Sequence, residues 1–379
     1  MSRPADSRPK QQPVTSLLFV TAVLLFTFVG CGRRTLMHRG EMTVGGKMGV
    51  SGDVGFSGDV NMNGDINTTM SMITNNTASR LAPVLVSGST QSGTQAKVAV
   101  IDVDGLLLDK NISGFGSMGE NPVALFREKL DAVREDANVT ALVLRINSPG
   151  GGVTASDMMC HELEKLKTER KMPVVACLMD TGTGGAYYLA SHCDQVISHP
   201  TTIVGGIGVI LNVYNLEDTM GSFNILSTPV KSGEQIDAGT PERTMADEEL
   251  EMLQAIADSF HLRFTDHIAR VRSKATDAKS WSEGQVFSGQ RAVELGLVDR
   301  VGYLDDAIEL AQQMSGATSD SGVVMYRRDN DRAYTPLDVT PNQPTMSSLL
   351  PIKMPGLDRS SMPTFLYLWQ PEPSMSSGI

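Results

Sequence analysis

The chain is 379 residues long, enough for one large domain with appendages or for two domains. Its 32 Lys and Arg against 43 Asp and Glu give a net charge of −11, which argues against nonspecific nucleic-acid binding. Four cysteines, Cys31, Cys160, Cys177 and Cys193, show no metal-type spacing; the last three sit in apolar or helical contexts and read as buried free thiols, with no metal or cofactor expected.

Arg3, Arg8 and Lys10 precede an apolar run over residues 17–30, the layout of a secretory segment. The run ends in Phe28-Val29-Gly30-Cys31, which resembles a bacterial lipobox and implies lipidation at Cys31. The alternative is an uncleaved anchor, slightly short against the roughly 20 apolar residues of a spanning helix. Either reading places residues 1–31 at a bacterial membrane and the main domain outside the cytoplasm. Gly40, Gly46, Gly52, Gly58 and Gly64 then recur every six residues, with Val44, Val50, Phe56 and Met62 between them. That is strand periodicity, in too few repeats for a self-sufficient solenoid. An extended or hairpin-forming stalk is expected, followed by a Ser/Thr/Asn/Gly-rich linker over 68–95, so that 32–95 is spacer. Asp53, Asp59 and Asp65 lack the ligand order of a calcium loop and read as a solvated face.

From Lys97 the pattern changes. Residues 98–103 form an apolar strand, and Asn121-Pro122 opens a helix with Phe126, Leu130 and Val133 on one face. Strand 141–146 leads into the Gly-rich turn Asn147-Ser148-Pro149-Gly150-Gly151-Gly152, and Ser156 begins a helix with Met159, Leu163 and Leu166 inward. Strand 173–178 leads into a second turn, Thr183-Gly184-Gly185, and a helix over 186–191. The alternation predicts an α/β fold of stacked βαβ units with right-handed crossovers and a sheet covered on both faces. Both glycine turns fall at carboxyl ends of strands, where such sheets bind ligands. A long helix over 246–272 opens with Asp247, Glu248 and Glu249 and carries a stripe of Leu253, Ile256, Phe260, Phe264 and Val271. Residues 304–314 form a closing helix, so that the domain spans 96–315. Beyond it, 316–379 reads as a Pro/Met/Ser-rich tail, whose apolar stretch Phe365-Leu366-Tyr367-Leu368-Trp369 is expected to pack on the domain rather than on a neighbour.

Asn147 to Val153, the pair Tyr187-Tyr188, Asp194, Gly205 to Ile210 and the Lys231-Ser232-Gly233 segment together resemble the S49 serine peptidases, the signal peptide peptidase A family, in the right order over residues 97–315. The resemblance implies a ClpP/crotonase fold, a Ser nucleophile with a Lys general base, and proteolysis of peptides, signal peptides among them. It also implies a homo-oligomeric ring with the dyad completed across subunits, and raises the expectation of a hetero-oligomer with an active paralogue. The oxyanion amides fall on Gly150, Gly151, Gly152 and Gly185.

The chemistry-bearing positions do not follow the family pattern. In this register the nucleophile position is Gly184, the base position is Ile236, and the Ser of the family's second glycine motif is Gly206. A Lys base must also lose its proton near neutrality, a shift of about 3 units from the ordinary value near 10.4. With all three polar positions emptied, the expectation is a non-catalytic, peptide-binding or assembly subunit. The rival is an active peptidase using Thr183 as nucleophile and Lys231 as base, although one position along a helix turns about 100° and aims the Thr183 oxygen away from the amides. A crotonase-type acyl-CoA enzyme is a weaker alternative.

Overall fold

The computed structural model describes residues 80–88, 96–111, 120–275, 277–328, 331, 333–340 and 365–369. The secretory segment with Cys31 and the hexapeptide repeats lie outside these residues. Everything below concerns the unit within 78–379.

In chain order its elements are β1 (Ala82–Ser87), β2 (Lys97–Asp104), α1 (Pro122–Glu135), β3 (Val139–Ser148), β4 (Gly150–Gly152), α2 (Val153–Arg170), β5 (Val174–Thr183), α3 (Gly185–Ser191), β6 (Gln195–Ser198) and β7 (Ile203–Gly205). They continue with α4 (Glu217–Ser222), α5 (Asp247–Val271), β8 (Val286–Ser288), α6 (Gly289–Glu294), β9 (Arg300–Val301), α7 (Leu304–Ser315), β10 (Gly322–Arg327) and β11 (Leu366–Leu368). Nine strands make one sheet in the order β1-β10-β2-β3-β5-β6-β9, with β7 added on β5 and β8 on β7. All neighbours from β10 to β9 run parallel, which gives the expected α/β class with a sheet mainly of parallel pairs.

Side chains alternate between two buried faces, as a fully covered parallel sheet requires. On one side Ala99, Ile101, Leu142, Leu144, Ile146, Ala176 and Leu178 meet α1, α2 and α3; on the other, Val98, Val100, Ala141, Val143, Val175 and Cys177 meet α7. Asn121 starts α1 because its side-chain oxygen accepts from the amides of Val123 and Ala124, with Pro122 in the first helical turn. Met159, Leu163 and Leu166 point inward from α2.

Three features depart from the expectations. The stretch read as linker contributes β1, whose Val84 and Val86 pack on the sheet while its backbone pairs antiparallel with β10. Strand β10 itself, buried along its whole length, lies in the stretch read as tail: Val323-Val324-Met325-Tyr326 is a short apolar run that continues the sheet. The stripe on α5 is only partly filled. Phe264 is fully buried, but Ile256 and Val271 are exposed, and His267 and Ile268 take inward positions instead. The helix is 25 residues long and packs through its carboxyl-terminal half, where Phe264 and His267 meet Tyr188 of α3; in its amino-terminal half only Glu249 is buried.

Arg327 and Thr340 close a buried network on Asp102. Lys129 Nζ donates to Asp102 Oδ1 at 2.8 Å and to Thr340 Oγ1 at 2.9 Å, and Arg327 Nη1 lies 3.6 Å from Asp102 Oδ2. Burial works against the Asp102 carboxylate, but Lys129 and Arg327 outweigh it and hold the group well below the usual carboxylate range. The network ties the segment after β10 to β2 and α1.

Candidate functional site

The two glycine turns meet at the carboxyl ends of β3 and β5. After β3, Ser148 Oγ accepts from the Gly150 amide at 3.1 Å and Asn147 Oδ1 accepts from the Thr181 amide at 3.2 Å, which fixes the first turn against the second. The first turn does not stay a turn. Gly150–Gly152 extend as β4, with Leu107 on one edge: the Leu107 amide donates to Gly150 O at 3.0 Å and the Gly152 amide to Leu107 O at 2.8 Å. A Cβ on Gly151 would lie 2.0 Å from Leu107 O, so only glycine permits that approach.

Strand β5 turns into α3 at Gly184, with φ 53° and ψ −126°. This is a sharp strand-to-helix turn in a backbone region that side-chain-bearing residues rarely adopt, the device by which hydrolases expose a nucleophile. Gly206 stands beside it: a Cβ there would lie 3.4 Å from the Gly184 amide nitrogen and 3.3 Å from Thr183 Cβ. The structure therefore gathers Gly184, Gly206, Gly150 and Gly185 in one place.

Thr183 and Lys231 are not gathered with each other. Thr183 is the last residue of β5 rather than part of a helix, and is fully buried, with its hydroxyl donating to Pro149 O at 3.2 Å. Lys231 Nζ donates to Asp237 Oδ1 at 2.8 Å and to Glu234 O at 3.0 Å within its own exposed loop. Hydrogen bonds from Arg243 and then Lys231 hold the Asp237 carboxylate well below its ordinary range. Ile236, in that same loop, is 72% exposed.

The groove between the glycine turns holds a strand of the chain itself, which sequence reasoning did not find. Strand β11 pairs antiparallel with β4, Leu366 opposite Gly152, Tyr367 opposite Gly151 and Leu368 opposite Gly150. Along this edge the Val153 amide donates to Phe365 O at 3.1 Å and the Trp369 amide to Pro149 O at 3.2 Å. On the opposite edge Leu366 and Ile210 exchange two bonds of 2.9 Å each. The alternation Phe365, Tyr367, Trp369 against Leu366, Leu368 was the available signal, since it has the period of a strand.

A model of peptidase family S49 matches residues 166–318. A putative signal peptide peptidase SppA of Enterococcus faecium is 29% identical over 240 residues, covering 63% of this chain and 69% of that relative. A putative protease of Synechocystis is 33% identical over 231 residues, 61% of this chain and 78% of that one. Protease 4 of Salmonella typhi is 25% identical over 289 residues, 76% of this chain and 43% of its own length. The chain belongs to peptidase family S49.

Behind the glycine turns lies an aromatic and histidine cluster. Tyr188 on α3 packs edge-on against Phe264 and His267 of α5, with ring centroids 5.0 and 5.2 Å away, and against His192 at 4.9 Å. His192 and His267 stack at 3.8 Å with their planes 12° apart. They open on a polar cleft of about 390 Å³ between α2 and α5, lined among others by Asp157, Glu164, Arg263 and Arg270. Burial, then His192, then Arg270 and Arg272, push His267 down to about 3, so both rings stack as neutral imidazoles at ordinary pH. Cys160, Cys177 and Cys193 are free buried thiols, the last two pushed up to about 12 chiefly by burial. They fill space and are poor nucleophiles. Among the described residues no group of His, Cys, Asp and Glu is arranged to hold a metal, and no helix is long and apolar enough to cross a membrane.

Proposed function

We propose that this chain is a membrane-attached S49 homologue that binds extended peptides in the family's cleft without cleaving them. The carrying observation is Gly184: the position keeps a nucleophile's backbone turn and carries no nucleophile. Gly206 beside it and Ile236 in the exposed loop lack the other two polar groups that acyl transfer by a Ser/Lys pair requires. Thr183 supports the same reading, because its hydroxyl is spent on the Pro149 carbonyl inside the core. Of the four expected oxyanion donors, the amides of Gly150 and Gly152 are taken by Ser148 Oγ and Leu107 O, which leaves Gly151 and Gly185 for that role in our reading of the groove as a ClpP/crotonase-type cleft. Losing the nucleophile of a serine hydrolase costs about 10⁶ in kcat, so residual binding of the transition state does not make a peptidase.

The segment from Phe223 to Ile236 supports assembly with further copies or with an active paralogue. Phe223, Leu226 and Ile236 are 73%, 82% and 72% exposed there, an apolar surface that a second subunit would cover. Attachment to a bacterial membrane rests on the apolar run 17–30 and on Cys31. The testing experiment is treatment of the full chain with a fluorophosphonate probe followed by peptide mapping. No label on folded protein is expected; a label on Thr183 that vanishes in Thr183→Ala overturns the reading in favour of a Thr183/Lys231 peptidase.

A further inference from the structure

The position of β11 says which peptides the groove takes. A Cβ built on Gly184 would lie 2.3 Å from Tyr367 O, 2.7 Å from Tyr367 C and 3.0 Å from Leu368 N. Those three atoms are one peptide group, so the empty nucleophile position faces the bond between Tyr367 and Leu368. The same carbonyl oxygen lies 3.5 Å from the place of a Cβ on Gly185 and 2.0 Å from that of one on Gly150, among the glycines of both turns. The main chain of residues 365–369 is thus gripped on both edges in the manner of strand addition, which gives affinity through backbone bonds and leaves selectivity to side-chain pockets.

One such pocket is filled. Tyr367 is 1% exposed; its hydroxyl donates to Phe260 O at 2.7 Å, and its ring lies 4.8 Å from that of Phe264 and 5.6 Å from that of Tyr188. The two rings favour an aromatic over an aliphatic side chain at this place, and the hydroxyl's bond to the Phe260 carbonyl adds a preference for Tyr over Phe. Two residues earlier, Phe365 stands edge-on to Phe260 at 5.4 Å.

We infer that residues 365–369 are a built-in pseudosubstrate, and that the external ligands of this groove are extended peptides with a Tyr or Phe immediately before the bond that faces Gly184. This rests on the reading of the cleft as peptide-binding. A tethered strand of this kind competes at an effective concentration in the millimolar range, and the groove's apparent affinity for a free peptide falls by the fraction of molecules in which the strand is seated. The pseudosubstrate therefore sets a threshold that a free peptide must exceed.

The test measures binding of a fluorescent Phe-Leu-Tyr-Leu-Trp peptide to the full chain, to Tyr367→Ala and to Leu366→Pro. The first variant empties the aromatic pocket. The second leaves the Tyr367 side chain unchanged and acts on the backbone, removing the amide that donates to Ile210 O and fixing φ at position 366, so it answers even if the first variant folds poorly. Both are expected to bind the probe at least tenfold more tightly than the unaltered chain, and a probe with Ala in place of Tyr to lose at least tenfold. Equal affinity of all three proteins overturns the pseudosubstrate, and equal affinity for the Tyr and Ala probes overturns the aromatic selectivity, while either leaves peptide binding standing. Cleavage of the probe after Tyr overturns the non-catalytic reading alone. Absence of binding to any of the three, at unchanged melting temperature, overturns both.

Discussion

Placing a serine at position 184 is the most informative single change. With φ 53° and ψ −126°, Gly184→Ser forces a side-chain-bearing residue into a glycine-favoured region, at about 1–3 kcal/mol. The new Cβ also falls 2.3 Å from Tyr367 O, well inside van der Waals contact, so β11 has to withdraw. Withdrawal costs the paired bonds between Leu366 and Ile210, about 1 kcal/mol each, before any exposure of Tyr367 is counted. The sum is roughly 3–5 kcal/mol, or a fall in melting temperature of about 10 °C for a domain of this size. Circular dichroism melts measure that fall, and hydrogen exchange at residues 365–369 reports the withdrawal directly. Activity is not expected to return, because no amine stands at position 236 and no hydroxyl at 206 to assist the new serine. A melting temperature lowered by less than about 2 °C, with exchange at 365–369 unchanged, refutes the geometry assigned to this turn.

Asp102→Ala leaves Lys129 and Arg327 without their shared buried carboxylate; a loss of about 3–5 kcal/mol is expected, read as a shift in the urea midpoint. Because the folded state lowers the affinity of Asp102 for protons, its contribution is complete well above pH 4 and is lost as pH falls below that. His267 adds a second dependence. Its depressed value of about 3 against 6.5 in the unfolded chain means that stability should decline as pH falls from about 6.5 toward 3, and His267→Gln should flatten that part of the melting-temperature profile. Intact mass of the mature protein should show a diacylglyceryl group on a chain beginning at Cys31; an unmodified chain beginning at residue 1 contradicts lipidation.

The core of the fold was legible because its signals are local. Period-2 and period-3.6 apolar patterns set β2, β3, β5, α1, α2 and α7, and Asn121-Pro122 marked the start of α1 in the way its cap bonds now explain. The edges were not legible. Strands β1 and β10 are short and separated by more than two hundred residues, and they become strands only through distant partners, β1 on β10 and β10 on β2 as well. In the site, the two glycine turns were legible as turns at strand ends, and the structure brings Gly150, Gly184 and Gly206 close together where no side chain intervenes. The occupant was hidden for the opposite reason: Phe365 to Trp369 reads as an apolar tail until Gly150–Gly152 are seen to be an unpaired strand edge that needs a partner. The direction of Thr183 was inferred from helical rotation, whereas the residue ends a strand. The hydroxyl is turned from the cleft all the same, because it bonds to Pro149 O.

Whether this cleft holds a peptide without cutting it can be decided by incubating the full-length protein with the Phe-Leu-Tyr-Leu-Trp peptide and following it by mass spectrometry over a day. The peptide is expected to remain intact, even at concentrations that saturate the Leu366→Pro variant. Appearance of the fragment ending in Tyr, at a rate that Thr183→Ala abolishes, would contradict the account.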